Sequence, residues 1–422
     1  MVRTNNQQLA LDRDGKAFGS NGDSPTRIAI VGSHPIQYFA PWFRSLAATS
    51  GVVLKVFFCS NWGAESYHDP QFGIKVKWDI PLLEGYDWEF LESGKEIRSH
   101  SFWGMDNSDV GAALERFRPD VVQINGYAHR TMWRVVNWCN RNRVPAMIFS
   151  DSNLMPKRTL WKRAAKTLIV KQFYRRLDGA ISIGDNNRAY LQHYGFPLER
   201  TFPGILPIDY KRLVDSAGDS VGTRSEIRQR HGIPVDALVV VYAGKLIPLK
   251  CPTHLLEAIL RCTRQGLNVW GLLVGEGAER GTLEAFIANH KMNNIVLTGF
   301  INQASIGKYY AASDVVTLMS RHEPKGQTIA EAGALGCPAI LSDRIGCIGP
   351  TDSARPGENA LVYPWSDIGA LTNCIVRLYE DPSLYRSMSQ AARRIANSQD
   401  ISVAALQLKE AALQLKEMGC RK

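Results

Sequence analysis

Two carboxylates eight residues apart bracket the segment Glu323-Pro-Lys-Gly-Gln-Thr-Ile-Ala-Glu331. The segment follows a strand-like apolar run, Val315 to Met319, and leads into a helical pattern. Gly326, Gln327 and Thr328 therefore fall at a helix start, where free backbone N–H groups and the positive dipole end favour a phosphate or an anionic oxygen. A plainer reading competes, because Thr328-x-x-Glu331 has capping-box spacing and the glutamate would then only close the helix start. Upstream, Ala243-Gly244-Lys245-Leu246-Ile247-Pro248-Leu249-Lys250 follows another apolar run. A glycine at a strand end with two lysines five residues apart can clamp a diphosphate through backbone and ammonium groups. Lysines on a solvated turn are the alternative. This is not a Walker loop, since Gly-x4-Gly-Lys-Ser/Thr is absent. Val274-Gly275-Glu276-Gly277 repeats the pattern of a strand running into a glycine turn.

The elements that must carry these groups alternate short β-branched runs with helix-length segments. Arg27 to Val31, Val52 to Cys59, Asp120 to Ile124, Ala146 to Phe149 and Ala180 to Ile183 form one set. Leu238 to Tyr242, Val269 to Val274, Ile295 to Leu297, Val315 to Met319, Ala339 to Ser342 and Ala360 to Tyr363 form another. Runs apolar on both faces and separated by helices predict parallel sheets covered on both sides. Residues 60 to 110, rich in aromatics, Gly and Pro, read as a long functional insertion rather than a strand–helix repeat. The periodicity fades between Gly204 and Pro234 and is most linker-like at Ser216-Ala217-Gly218-Asp219-Ser220. The expected organisation is a leader at 1–25, an N-terminal Rossmann-like acceptor domain at 26–215 and a C-terminal Rossmann-like donor domain at 216–422. The terminal helices of the last are free to pack back on the first. Open α/β sheets bind ligands at the carboxyl ends of their strands, so the cleft between two such sheets is the expected site.

Taken in order, these motifs resemble the retaining glycosyltransferases of family 4, the group 1 transferases. The resemblance rests on Gly244-Lys245-Leu246-x3-Lys250, on Val-Gly-x-Gly at 274 to 277, and on Thr298-Gly299-Phe300 after a strand. It rests above all on Glu-x7-Glu with Glu331 to Pro338 following. It covers about residues 236 to 365, and the first half only by architecture. It implies an α/β GT-B fold, two Rossmann-like domains facing across a cleft, with a UDP- or GDP-sugar bound mainly by the second. Donor-binding residues would be Gly244, Thr298, Gly299, Gly326, Gln327, Thr328 and Glu331, with Glu331 on the ribose. Lys245 and Lys250 would hold the diphosphate and stabilise the departing nucleotide. Glu323 would face the donor sugar and its oxocarbenium-like charge. No metal or other cofactor is implied, and the single Asp-x-Asp is Asp12-Arg13-Asp14 in the leader.

Four positions depart from that pattern. The loop after the first strand is Gly32-Ser33-His34-Pro35-Ile36-Gln37-Tyr38 rather than Gly-rich, and Ser150-Asp151-Ser152-Asn153 stands where a histidine is usual. Lys325 replaces an aromatic, and Lys245 replaces the commoner arginine, keeping charge but losing bidentate geometry. In the first half, His34, Gln37 and Asp151 follow strands whose ends should face the cleft, as do Tyr127 and His129. The first three are the expected acceptor contacts, against the reading that such polar groups are simply paired within the fold. The turn Asp69-Pro70-Gln71-Phe72-Gly73 is expected to cap the acceptor.

The chain has 422 residues, more than one core usually organises, and 45% hydrophobic, 9% aromatic and 21% charged residues. These values exclude a disordered chain, a collagen-like fibre and a coiled-coil rod. No apolar run approaches the ~20 residues that cross a bilayer, and the polar, disordered-looking leader has no signal-peptide core. Eight scattered cysteines without a Cys-x-x-Cys pair read as reduced, buried thiols. A cytoplasmic protein is expected, peripheral on the inner face of the membrane if its basic stretch is used. Net charge is +10, but Lys157, Arg158, Lys162, Arg163, Lys166, Lys171, Arg175 and Arg176 lie in one acid-free stretch and the rest is nearly neutral. There Trp161, Ala164, Ala165 and Leu168 share a helical face with Lys162, Arg163 and Lys166 opposite. That pattern suits anionic headgroups, or a solvated helix. The function expected is transfer of a sugar to a saccharide or lipid-linked acceptor, with retention and without metal, in surface-polysaccharide or glycoconjugate synthesis. The alternatives are a nucleotide-sugar epimerase of the same fold and a non-catalytic polyanion-binding protein. No helix-turn-helix or aromatic-basic sheet motif supports a nucleic-acid partner, and no Gly-x-Gly-x-x-Gly after a strand supports a dehydrogenase.

Overall fold

Strands apolar on both faces need helices above and below, and the chain builds two sheets of that kind. The computed structural model describes residues 24–92, 101–156 and 159–420. The expected leader, with Asp12, Arg13 and Asp14, lies outside the described residues except for residues 24 and 25. Lys157 and Arg158 also lie outside them.

The first half runs β1 (Thr26–Gly32), α1 (Phe39–Ala47), β2 (Val52–Phe58), β3 (Tyr67–Asp69), β4 (Ile74–Val76), β5 (Asp87–Phe90), α2 (Val110–Phe117), β6 (Val121–Asn125) and α3 (Arg130–Asn142). It continues through β7 (Ala146–Phe149), α4 (Leu160–Tyr174), β8 (Gly179–Ser182), α5 (Asp185–His193) and β9 (Thr201–Pro203). Its sheet is parallel throughout in the order β5-β2-β1-β6-β7-β8-β9, while β3 and β4 form a separate antiparallel arm. The insertion is thus only partly what its composition suggests. Residues 67–76 form the arm, but Asp87–Phe90 joins the main sheet as its edge, because Trp88 and Phe90 pack on the same core as Phe58.

The second half contains α6 (Tyr210–Ala217), α7 (Ser220–Arg230), β10 (Leu238–Ala243), α8 (Thr253–Arg264), β11 (Val269–Val274), α9 (Arg280–Asn289) and β12 (Ile295–Gly299). After these come α10 (Ile306–Ala311), β13 (Val315–Leu318), α11 (Thr328–Ala334), β14 (Ala339–Ser342), β15 (Ala360–Tyr363), α12 (Ile368–Glu380), α13 (Pro382–Asn397) and α14 (Ile401–Met418). The strand order β12-β11-β10-β13-β14-β15 is again all parallel. In both sheets the strand order reverses beside the first strand, at β1/β6 and at β10/β13. Those crevices are where open α/β sheets take ligands.

The chain crosses between halves twice. It passes over near Ile208, ahead of the composition minimum at 216, because α6 buries Leu213 and Ala217 against α10 and α11 of the second half. It returns near Asp400, where Ile208 N–H donates to the Gln399 carbonyl and Ile401 N–H donates to the Ile208 carbonyl. α14 then lies on the first sheet, with Ala404, Ala405, Leu408, Ala411, Ala412 and Leu415 buried among Ile28, Ile30, Phe58 and Ile181. All eight cysteines are free thiols.

Because α14 completes the core of the first half, Leu408→Ala should cost ~2–5 kcal/mol, the range for a buried leucine that leaves a cavity. Hydrogen exchange should show the loss in β1, β6 and β8, with β10 and β13 unchanged. Equal destabilisation of both sheets, or none, would contradict this assignment of α14.

Candidate active site

The residues with chemistry come from the strand ends that flank the second crevice. β10 runs out into Gly244-Lys245, and the short turn Pro248–Lys250 follows. β13 leads to Glu323. The two glycine turns are laced together, since Gly244 N–H donates to the Val274 carbonyl and Leu246 N–H to the Glu276 carbonyl. A Cβ on Gly275 would sit 1.9 Å from the Gly244 carbonyl oxygen, so no side chain fits there. Gly326 turns the Glu323 loop into α11 at φ +74°, the left-handed region, where an added Cβ would meet Leu318 at 2.9 Å.

A cavity of about 860 Å³ opens between the halves. Lys245, Lys250, Glu323, Gly244, Gly326, Gln327, Thr328 and Glu331 line it from the second half, and Gln37 and Asp151 line it from the first. His34, Thr298 and Gly299 are not among its lining residues. His34 packs edge-on to Trp62, which does line it, with ring centroids 4.8 Å apart. The Thr298 hydroxyl bonds to the Gly299 carbonyl at 2.9 Å, and it is Phe300 that reaches the cavity.

Lys250 Nζ is paired with the Glu323 carboxylate. Lys245 Nζ bonds across the cleft to Asp69 Oδ1 and Oδ2 at 3.1 and 3.0 Å and to Gln71 Oε1 at 2.9 Å. The Asp69 turn thus closes on the lysine of the second half rather than over an acceptor region alone. Burial pushes the Asp69 carboxyl up, but bonds from Phe72 N–H, Lys245 and Gln71 N–H outweigh it and hold the group below the ordinary carboxylate range.

Glu331 is 4% exposed, and its Oε2 accepts a bond from the Tyr310 hydroxyl at 3.0 Å. Burial pushes its carboxyl above the usual range, against the pull of Arg212 and the Tyr310 bond. The capping box does not form. Thr328 is the first residue of α11, its hydroxyl donates to the Ala243 carbonyl, and no side chain caps this end. Asp151 opens onto the cavity, and its carboxyl lies above the ordinary range because the surrounding cleft walls desolvate it, with repulsion from Glu323 as a smaller cause. His322 beside it is held below the ordinary histidine range by burial.

The departure at Lys325 has a structural use. Its ammonium is paired with the buried Asp352 and donates to the Ile183 carbonyl, and Asp185 N–H donates to the other Asp352 oxygen at 2.8 Å. Asn186 Nδ2 adds bonds to the Gly346 and Ile348 carbonyls. These contacts pin the Glu323 loop to the first half. Sequence reasoning missed Tyr310, Arg212, Asp352 and the role of Asp69 as a partner of Lys245. Only Asp69 had a visible signal, its Asp-Pro-x-Phe-Gly turn. Among the described residues no three of His, Cys, Asp and Glu come together as a metal set.

Residues 223–395 match the family model described as glycosyl transferases group 1. Curated relatives include the alpha-D-kanosaminyltransferase of Streptomyces kanamyceticus, 28% identical over 41% of this chain and 44% of that one. Another is the lipopolysaccharide core biosynthesis glycosyltransferase LpsE of Rhizobium meliloti, 30% identical over 44% of this chain and 55% of that one. The chain spans about half the length of the curated relatives it matches. Sucrose-phosphate synthase from Thermosynechococcus elongatus superposes with a TM-score of 0.70 at 20% identity, covering 93% of this chain and 100% of that one. Anabaena Alr3699/HepE, solved with UDP and glucose, gives 0.66 at 17% identity, covering 92% and 100%. The chain has the α/β GT-B fold of these structures.

A buried carboxylate with a raised folded-state pKa is destabilising when ionised. The cost is fully present above that pKa and is relieved as pH falls through it. Glu331→Gln keeps an oxygen for Tyr310 and removes the charge. Its melting temperature should therefore exceed wild type at pH 7.5, with the gap closing as pH approaches 5. A lower melting temperature at both values would show that Glu331 stabilises the fold.

Proposed function

We propose that the protein is a glycosyltransferase that moves a sugar from a UDP- or GDP-sugar to a saccharide or lipid-linked acceptor, with retention and without a metal, in surface-polysaccharide or glycoconjugate synthesis. The observation that carries this reading is the meeting of Lys245, Lys250 and Glu323 at the β10/β13 crevice, opposite Gln37 and Asp151. Two ammonium groups in a partly dry cleft offer a diphosphate the charge it needs as it leaves. Glu323, held by Lys250, faces the place where positive charge would build on the sugar ring. Glu331, Gln327, Thr328, Gly326 and Gly244 complete the donor side, with Thr298 and Gly299 shaping it from behind Phe300. Asp151, with its raised pKa, is suited to bond the acceptor hydroxyl and take its proton. Gln37 and His34, the latter through Trp62, support the acceptor side. The bond from the anomeric carbon to the diphosphate oxygen breaks, and one to the acceptor oxygen forms on the same face. The relatives' names and the UDP in the HepE structure support a nucleotide-sugar donor.

Wild type should show a thermal shift with UDP- or GDP-sugars and transfer sugar in the presence of EDTA, with the anomeric configuration kept by NMR. Glu323→Gln should lose transfer at least a hundredfold while binding nucleotide nearly as wild type, given a transition-state contribution of ~3 kcal/mol. Isomerised donor without transfer would favour the epimerase. Loss of nucleotide binding in a folded Glu323→Gln would remove the sugar-facing role.

We further infer a peripheral seat on the cytoplasmic face of an anionic membrane. α4 does not hide its apolar stripe: Leu160, Trp161 and Leu168 are 81%, 69% and 72% exposed. Lys166, expected on the outer basic face, instead lies over the Tyr190 ring at 4.8 Å and faces the protein. The helix buries Val170, Phe173 and Tyr174, so what points outward is Trp161 and Leu168 flanked by Lys162, Arg163 and Lys171. No helix among the described residues is long and apolar enough to cross a membrane. Vesicles containing phosphatidylglycerol should pellet wild type and release Trp161→Ser/Leu168→Ser, with binding fading as salt screens the basic flank. Equal pelleting of both proteins, or of neither, would make the stripe a solvated face.

A further inference from the structure

The β3–β4 arm belongs to the first half and bonds across the cleft to the second. Its strands pair Tyr67 with Val76 and Asp69 with Ile74. At its base, Asn302 Nδ2 donates to the Lys77 carbonyl at 2.6 Å and Ala304 N–H donates to Asp79 Oδ1 at 3.0 Å. Phe300 packs against Phe72 and Trp78, with centroids 5.2 and 6.1 Å apart. The tip is a preorganised anion. Asp69 Oδ1 accepts from Gln71 N–H and Phe72 N–H at 2.9 and 3.0 Å, and the whole residue is 4% exposed.

An ammonium has three donors and no more. Those of Lys245 face Asp69 Oδ1, Asp69 Oδ2 and Gln71 Oε1, and the Phe72 ring covers the ammonium at 4.8 Å. A diphosphate cannot take Lys245 while this arrangement lasts. Nor would a buried Asp69 carboxylate stay beside a diphosphate once its lysine had been drawn away, because two like charges in a poorly hydrated cleft repel strongly. Arm and diphosphate therefore compete for one cation.

We propose that the β3–β4 arm is a lid on the donor site and that Asp69 is a built-in stand-in for the donor's diphosphate, so that donor binding exchanges one anion for the other and frees the arm. The proposal rests on the reading of Lys245 as a diphosphate ligand given above. In the free chain, the Asp69 pair keeps Lys245 neutralised and the site closed. A nucleoside diphosphate opens it by supplying the stronger, doubly bridging anion, and a neutral ligand of the cleft does not.

The experiment titrates UDP and GDP into wild type, Asp69→Asn, Gln71→Ala and Lys245→Ala by calorimetry, and follows hydrogen exchange of residues 67–76. Asp69→Asn should bind the nucleotide about fivefold tighter or better, the lower end of ordinary coupling between competing ligands. Gln71→Ala should shift the same way by less, and serves if Asp69→Asn folds poorly. Nucleotide should speed exchange in the wild-type arm, and Asp69→Asn should exchange fast without it. Unchanged or weaker binding by Asp69→Asn and Gln71→Ala, while Lys245→Ala also weakens it, would make Asp69 a positioning residue. That result sinks the lid and leaves the donor reading intact. Binding by none of the four proteins, or full binding by Lys245→Ala, would overturn the donor reading and the lid with it.

Discussion

Two lysine ammonium groups set at the carboxyl end of one buried strand need anions, and the structure is organised around supplying them. Taking a charge out of water is costly unless it is paired and hydrogen-bonded. Lys245 and Lys250 stand five residues apart beside β10, in a cleft walled by both halves. Each has found a carboxylate: Asp69 from the first half, and Glu323 from the loop after β13. Both lysines are thus charge-balanced in the free chain, at the point where the proposed donor would bring its diphosphate.

The rest of the architecture holds those pairs in register. The strand order of the second sheet places β10 and β13 side by side, so residues distant in sequence emerge into one crevice. Glycines at 244, 275 and 326 let backbone approach where a side chain would clash. The bond from Lys325 to the Ile183 carbonyl fixes the Glu323 loop against the first half, Asp185 N–H and Asn186 do the same for Asp352 and the 346–348 loop, and the arm and Asn302 bridge the other side of the cleft. Glu331 fits the same economy in reverse. It is a carboxylate with no ion pair among the described residues, raised in pKa by burial against the pull of Arg212, and it accepts a bond from the Tyr310 hydroxyl. Such a group is poor for stability and well placed to bond a ligand's hydroxyls.

Much of this is legible in the sequence. Strand runs apolar on both faces gave away two parallel sheets, since that pattern is costly anywhere else. Glycine turns at strand ends and the Glu323/Glu331 spacing marked residues that line the cavity from the second half, because each is a local feature of a few residues. What stayed hidden crosses the cleft. Asp69 and Lys245 are 176 positions apart, and no periodicity links them. The capping reading of Thr328 and Glu331 had the right spacing, yet burial sent the glutamate to Tyr310 and the threonine to a strand carbonyl. In α4 the spacing put Trp161 and Leu168 on one face with Lys162, Arg163 and Lys166 opposite, and the structure leaves Trp161 and Leu168 exposed but turns Lys166 onto Tyr190. Only the packing of Val170, Phe173 and Tyr174 turns that face outward.

A structure of the protein with a nucleoside diphosphate bound tests the central claim most directly. The account requires the phosphate oxygens within hydrogen-bond distance of Lys245 and Lys250, with Glu323 toward the position of the sugar and Asp69 withdrawn from Lys245. A diphosphate lodged elsewhere in the cleft, with both lysines still on Asp69 and Glu323, would contradict it.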